Sequence, residues 1–164
     1  MATVDMTSGV NTLHPTRAGN TSLPYLVEVN LDIADAATEK GSALAAADVI
    51  KVIDVPAGTL VLAAGIQVTT ETTDTQTDVT VDLGITGVDA DAFVDGYDLD
   101  AASAGDYASQ PAAYQPIVVG ATADTIDLLI ATATAAPTAG ELRIWAVLQD
   151  ISDRKAPGIV ALGS

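Results

Sequence analysis

Six aspartates lie close together in the stretch Val88–Asp106, VDADAFVDGYDLDAASAGD, which contains no lysine or arginine. They are Asp89, Asp91, Asp95, Asp98, Asp100 and Asp106. Closely spaced carboxylates can bind calcium, act as the paired acids of a glycosidase, or serve as solvated turn residues. The spacing and the surroundings of these aspartates have to decide among the three.

The spacing does not fit a calcium loop of the EF-hand type. With Asp89 as position 1, carboxylates fall at positions 3, 7 and 12, but Phe93 stands at position 5 and Val94 stands where the sharp turn requires glycine. An irregular calcium loop within 89–100 stays open as an alternative. The favoured interpretation is a long excursion between strands, anchored on the core by Phe93 and Val94, with aspartates that cap turns and face water. We therefore predict no metal site and no tight calcium binding.

The residues required for nucleophilic and zinc-dependent catalysis are scarce. The chain has no cysteine and one histidine, His14. This composition disfavours Cys-His and Ser-His-Asp arrangements and excludes a zinc site with several nitrogen or sulfur ligands from one chain. A hydrolase using an Asp pair stays as a minor alternative, although one Trp, one Phe and four Tyr provide few aromatic platforms for a sugar. We predict no catalytic residues and no cofactor.

The charge balance restricts the possible partners. The chain has 6 basic and 22 acidic residues, a formal net charge of -16 and a pI of about 4.1. Binding to nucleic acid or to an anionic membrane requires clustered lysine and arginine, so neither is predicted as a partner. The N-terminal residues lack the basic and apolar regions of a secretory signal, and the longest apolar stretch is shorter than the roughly 20 residues that cross a bilayer. We expect the chain to be made in a cytoplasm.

Alternation of apolar and polar residues predicts the elements that carry these side chains. The segment 25–33, YLVEVNLDI, has the period of two that marks a half-buried antiparallel strand. Further strand-like segments are 48–55, 59–72, 77–85, 117–120, 123–135 and 141–151. No long amphipathic helix is evident, and 34–48 is predicted as a loop with at most one or two helical turns. The pattern predicts an all-β fold, a single antiparallel β-sandwich of jelly-roll type with about eight strands.

The sequence divides into three parts. Residues 24–151 are predicted to form the sandwich domain. Residues 1–23 are rich in Thr and lack alternation, which indicates an extended N-terminal arm that does not fold alone. Residues 152–164 are predicted to form a C-terminal tail.

Five residues are predicted to lie at a contact with another subunit. Val10, Leu13, His14 and Arg17 are spaced through the arm, which could add its backbone to an exposed strand edge of a partner and place its apolar side chains in pockets. Trp145 alternates with the core face of the last strand and could be a surface aromatic at the same kind of contact. The alternatives are a disordered arm without function and a tryptophan that covers the sheet rim.

Three segments together resemble the capsid decoration, or cement, proteins of tailed bacteriophages. They are ADVIKVIDVPAGTLVLAAGIQV, VTVDLGITGVDADAFVDGYDLD and ADTIDLLIATATAAPTAGELRIWAVLQDI. The resemblance implies a structural virion protein that binds the outside of an assembled shell, has the major capsid protein as its partner, and forms homotrimers. It covers roughly 25–151 and concerns strands and turns, so no site residue is carried over from the family.

A virion protein of the same fold could instead bind a receptor or a glycan as a module of a head fibre or tail. Three tyrosines, Tyr97, Tyr107 and Tyr114, are the candidates for a carbohydrate platform. Binding of the isolated protein to a glycan array would favour this alternative.

Overall fold

The computed structural model describes residues 2–6, 23–72, 78–109 and 116–152. Within these ranges the chain forms ten strands and one short helix. The strands are β1 (Thr3–Asp5), β2 (Tyr25–Asp32), β3 (Val49–Val55), β4 (Thr59–Thr70), β5 (Val79–Ile85), β6 (Asp89–Asp98), β7 (Tyr107–Ser109), β8 (Ile117–Val119), β9 (Asp124–Ala133) and β10 (Glu141–Asp150). The helix α1 (Ile33–Lys40) follows β2 directly. The predicted all-β fold is confirmed.

The strands form two sheets that enclose one core. The first sheet has the order β1-β3-β9-β5-β6, and the second has the order β2-β10-β4-β7, with β8 paired to the other end of β4. The described pairs are antiparallel apart from the parallel pair of β1 and β3. The predicted antiparallel sandwich is therefore confirmed, with ten strands where about eight are expected.

The core is aliphatic because the inward positions of the strands are filled by Val, Ile, Leu and Ala. On β10 these positions are fully buried: Leu142, Ile144, Ala146 and Leu148. The intervening residues face outward, which is the alternation predicted for a half-buried strand. Burying a side chain of this size stabilises the fold by about 1.5–3 kcal/mol, so these rows define which face of each strand points inward.

The first residues of the predicted arm lie in a sheet. Thr3–Asp5 pair in parallel with Val49–Lys51, and the side chain of Val4 is buried in the core. The Ala2 amide donates to the Asp48 carboxylate at 3.0 Å. A strand edge of this same chain thus receives β1, whereas the division of the chain into arm, sandwich and tail stays a prediction.

The helix α1 has sequence-encoded ends. The Asp32 carboxylate accepts the amides of Ala34 and Asp35 at 2.7 and 3.3 Å, which caps the first turn. Gly41 has a φ of 75° and ends the helix in the left-handed conformation that glycine adopts without strain. Its eight residues agree with the predicted limit of one or two turns. No helix in the described ranges is long and apolar enough to cross a membrane.

The prediction of a long excursion between strands is wrong for Asp89–Asp98. These residues form β6 and pair with β5 at the edge of the first sheet. The predicted anchor is confirmed, because Phe93 and Val94 are buried in the core. Asp89 and Asp91 are exposed while the alanines that follow each of them are half-buried, so the segment has the alternation of a strand.

A large bulge explains why this strand is hard to recognise. Leu83 pairs with Val94 and Ile85 pairs with Asp89, so four residues of β6 lie opposite Gly84 alone. A Cβ atom at Gly84 would lie 2.2 Å from the crossing backbone of β6. Glycine at this position therefore permits the close approach of the two backbones.

Candidate functional site

Four carboxylates form a cluster at the edge of the first sheet. We define the acidic cluster as Asp82 on β5 with Asp89, Asp91 and Asp95 on β6. Asp82 is half-buried on the outward side of β5, and its carboxylate accepts the Gly96 amide at 2.7 Å. The other three aspartates are exposed. Residues 89–98 of the acidic stretch thus supply a charged strand edge, whereas 99–106 lie outside the strands, where Asp98 and Asp106 accept backbone amides as predicted for turn residues.

The pKa values of two cluster members are raised. Partial burial raises the pKa of Asp82, and repulsion by Asp95 and Asp91 raises it further, although the hydrogen bond from Gly96 opposes both effects. The pKa of Asp89 is raised chiefly by the neighbouring Asp91 carboxyl group. The cluster is therefore a site of mutual repulsion at neutral pH.

This arrangement is poorly suited to metal binding or catalysis. Among the described residues no group of three or more His, Cys, Asp or Glu side chains is placed to hold a metal ion. The carboxylates of Asp89 and Asp91 are exposed, so they lack the water-excluding walls that strengthen electrostatic catalysis. The absence of tight calcium binding stays a prediction for a binding measurement.

The outer face of the second sheet has a different chemistry. We define the apolar patch as Leu26 on β2, Leu60 and Ala63 on β4, Val118 on β8 and Val147 on β10. The strand register joins these residues into one surface. Val147 is paired with both Leu26 and Ala63, and Leu60 is paired with Val118 and with Gln149, which is two residues beyond Val147 on β10. Paired residues of neighbouring strands point to the same side of a sheet. An apolar surface spanning four strands of a sheet is typical of a contact site.

Trp145 borders the apolar patch and lies over a glycine. It is paired with Gly65 in the register of β10 and β4, and a Cβ atom on Gly65 would lie 2.8 Å from the indole ring. The ring thus fills the space above Gly65 and is half-buried. This position agrees with an aromatic that covers the sheet, while its predicted role at a subunit contact stays a prediction.

A small polar group adjoins Trp145. Arg143 donates through Nη2 to the Tyr107 hydroxyl at 3.0 Å, and its Nη1 lies 3.8 Å from the Glu28 carboxylate. The Arg143 Nε is buried without a hydrogen-bond partner in the described part of the chain. The charges of Glu28 and Arg143 therefore offset each other beside the apolar patch.

Two of the tyrosines considered for a glycan platform, Tyr97 and Tyr107, lie on different sheets. Tyr97 is paired with the inward-facing Val81 and packs against the core, whereas Tyr107 is exposed on the second sheet. Burial, together with the charges of Asp106 and Asp98, raises the pKa of the Tyr97 hydroxyl. Tyr114 lies outside the described residues. Nothing in the described geometry joins two of these rings into one platform.

A buried ion pair escaped prediction from the sequence. Lys40 at the end of α1 contacts the Asp48 carboxylate, whose side chain is almost fully buried. Burial acts to raise the pKa of Asp48, but hydrogen bonds from Lys40, Ala45 and Ala2 outweigh it, and the pKa is lowered. The Ala2 amide is remote in sequence, and Lys40 reaches Asp48 because the loop after α1 folds back, so the strand and helix periods carry no signal for this pair. It fastens residue 2 and the loop after α1 to the start of β3.

The remaining predicted contact residues lie outside the described part of the chain. They are Val10, Leu13, His14 and Arg17. Their role at an interface stays a prediction.

The fold has counterparts among solved structures. No protein-family model matches the chain, and no curated protein matches it. A chain in the capsid structure of Ralstonia phage GP4 matches with a TM-score of 0.58 and 18% identity, over 93% of this chain and 100% of that one. A chain in the capsid asymmetric unit of cyanophage Pam1 matches with a TM-score of 0.56 and 16% identity, over 85% of this chain and 96% of that one. The likeness shows a shared fold.

Proposed function

We propose that this chain is a structural protein of a phage virion, which binds the outer surface of the assembled capsid and stabilises it. The observation that carries the proposal is the shared fold with chains of two phage capsid structures. In both cases the match spans most of this chain and nearly all of the other chain. The similarity therefore concerns the whole fold and not one domain within a larger protein. The neighbours are therefore about as long as this chain, roughly 150 residues.

The charge of the chain supports a position on the outside of the shell. A protein that lines the interior faces packed DNA, whose phosphates repel a chain with a net charge of -16. The acidic cluster is exposed and suits a surface in contact with water and counter-ions. The partner in this proposal is the major capsid protein.

The strand order supports the jelly-roll type predicted for the sandwich. After β1, successive strands alternate between the sheets except at β5–β6 and β7–β8, which leaves β2-β10-β4-β7 facing β3-β9-β5-β6. This arrangement is expected of two Greek keys folded into one double sheet. We further propose that the protein acts as a homotrimer, which multiplies the contacts that each particle-bound assembly makes.

The proposed stabilisation of the capsid depends on binding alone and involves no catalytic step. A protein that bridges neighbouring capsomers raises the free energy needed to separate them, and many copies together slow the opening of a shell under pressure from packed DNA. A rigid aliphatic sandwich, with buried side chains on every long strand, is suited to transmit such a load without deforming.

The proposal is tested with particles of the phage that encodes the chain. Shells assembled without the protein should bind it from solution, and electron microscopy of the bound shells should place it on the exterior. The decorated shells should release their DNA at a higher temperature than bare shells. Density inside the shell, or equal stability with and without the protein, would contradict the proposal.

A further inference from the structure

We propose that the apolar patch on the second sheet is the surface that contacts the capsid shell, and that the acidic cluster on the first sheet faces solvent. This inference rests on the proposed function and assigns its contact surface. The occupant is the outer protein surface of the shell, which would present apolar groups and few acidic ones at the contact.

The apolar patch is exposed to an extent that a soluble sandwich does not need. Leu26 is 53% exposed and Val118 is 55% exposed, and they lie on opposite margins of the second sheet. Leu60, Ala63 and Val147 lie between them and are half-buried. The patch thus extends across four strands, which lie about 4.8 Å apart in a sheet. A surface of this width provides a contact and not a single exposed side chain.

The charges near the patch allow another protein to approach. Glu28 and Arg143 lie beside the patch within 3.8 Å of each other, so their charges offset. Two further acids of this face, Asp32 and Glu141, lie opposite each other in the strand register at the other end of β10, away from the patch. In a chain with a net charge of -16, the charges next to the apolar patch are thus one offset pair.

Distance separates this surface from the acidic cluster. The two sheets of a sandwich lie about 10 Å apart, and the cluster is at the far side of the first sheet. The screening length at physiological ionic strength is about 8 Å. Contact through the second sheet thus leaves the carboxylates in solvent, whereas contact through the first sheet would require them to be desolvated while they repel one another.

The test compares lysine substitutions in the apolar patch with a lysine substitution beside the acidic cluster. Leu26→Lys combined with Val118→Lys places two charges in the patch at positions exposed enough to preserve the fold. The matched control is Val88→Lys, in the turn between β5 and β6, where the native valine is 63% exposed. Circular dichroism checks that each variant folds. The measurement is co-sedimentation of each protein with shells assembled without it, at several protein concentrations.

We expect the double variant to bind the shells at least tenfold more weakly and Val88→Lys to bind within about twofold of the wild type. The opposite pattern, or equal binding by all three proteins, overturns the assignment of the contact surface but leaves the proposed function intact. Failure of the wild type to bind shells overturns the proposed function, and this inference with it.

Two other occupants of the patch give distinct results. If the patch joins copies of this chain, light scattering of the free protein will show a lower oligomeric state for the double variant than for Val88→Lys. If residues 153–164 of the same chain cover the patch, a variant ending at Ser152 will bind more of a hydrophobic dye than the full chain, and the double substitution will abolish that increase. Either result overturns the shell as the occupant.

Discussion

The outer faces of the two sheets differ in chemistry although their inner faces are alike. Both sheets fill the core with aliphatic side chains, such as Leu83 on β5 and Ile144 on β10. On the outside, the first sheet carries the acidic cluster and the second carries the apolar patch beside one offset pair of charges. The comparison teaches that core packing constrains the residue types at inward positions. It leaves the outward positions unconstrained, so the two outer faces can differ in charge and polarity.

The two sheets also differ in how they hold charge. Next to the first sheet, Lys40 of α1 and Asp48, the residue before β3, form a pair whose side chains are mostly shielded from water. On the second sheet, Arg143 and Glu28 lie 3.8 Å apart and remain accessible to water. Partners in a buried pair depend on each other because removal of one leaves an uncompensated charge in a low dielectric.

The largest expected effect follows from this difference. Lys40→Met should lower the free energy of unfolding by about 3 kcal/mol, because the buried Asp48 carboxylate loses its counter-charge. Glu28→Gln, in the exposed pair, should change it by less than about 1 kcal/mol. Denaturation in urea at pH 7 measures both. Equal effects of the two substitutions would contradict the contrast.

A second prediction concerns the glycine beneath β6. Gly84→Ala should lower the free energy of unfolding by about 2–3 kcal/mol, because the new Cβ atom meets the backbone of Asp89 and Ala90, which cannot rotate away as a side chain can. Gly120→Ala is the matched control, since no atom lies within 4 Å of a Cβ atom there. If both variants unfold at the same denaturant concentration, the bulge of β6 does not depend on glycine.

Substitution of Gly65, the glycine beneath Trp145 on the second sheet, should lower the free energy of unfolding by less than Gly84→Ala and should also change the tryptophan fluorescence. Gly65→Ala should cost about 1–2 kcal/mol, because the Cβ atom displaces the Trp145 ring and approaches the Ala108 carbonyl oxygen at 2.8 Å. Trp145 is the one tryptophan of the chain, so its fluorescence should shift to longer wavelength as the ring becomes more exposed. Gly84→Ala should leave the folded-state emission unchanged, and a shift in that variant would contradict the separation of the two faces.

The smallest effect is expected at Asp82. Because its pKa is raised above the ordinary 3.8, its contribution to stability is fully present below pH 3.8 and is lost as the pH rises through the raised value. Asp82→Asn should therefore stabilise the protein at pH 7 by about 0.5 kcal/mol after solvent screening, and the gain should disappear toward pH 3. Asp54→Asn, on β3 at two strands' remove from β5, is the control. A gain that persists at pH 3 would exclude repulsion as its cause.

The lowered pKa of Asp48 predicts the opposite dependence for the buried pair. Its stabilisation is present above pH 3.8 and is lost as the pH falls through the lowered value. The destabilisation by Lys40→Met should thus diminish only in strong acid. The stabilisation by Asp82→Asn should already diminish as the pH falls from 7 toward 3. The opposite pH dependences thus distinguish Asp48, which is buried with a positively charged partner, from Asp82, which is partly buried near other carboxylates.

Much of the fold was predictable because it depends on local alternation. Segments such as 25–33 and 141–151 carry a period of two, and a strand with one buried face requires that period whatever its neighbours are. The strand β6 carries the same signal in its Asp-Ala repeat, but a run of aspartates is typical of turns and therefore predicts a loop there. The three residues of β1 are too few to show a period.

The sequence by itself determined an aliphatic, acidic, all-β protein without the residues for thiol or zinc chemistry, because composition and period need no knowledge of which strands pair. Only the tertiary structure decided that Leu26, Val118 and Val147 share one surface and that the acidic cluster lies on the other sheet. It also decided that Lys40 reaches Asp48 and that β6 crosses Gly84. These relations join residues from separate elements, and pairing and register depend on how the whole core packs, which no local pattern specifies.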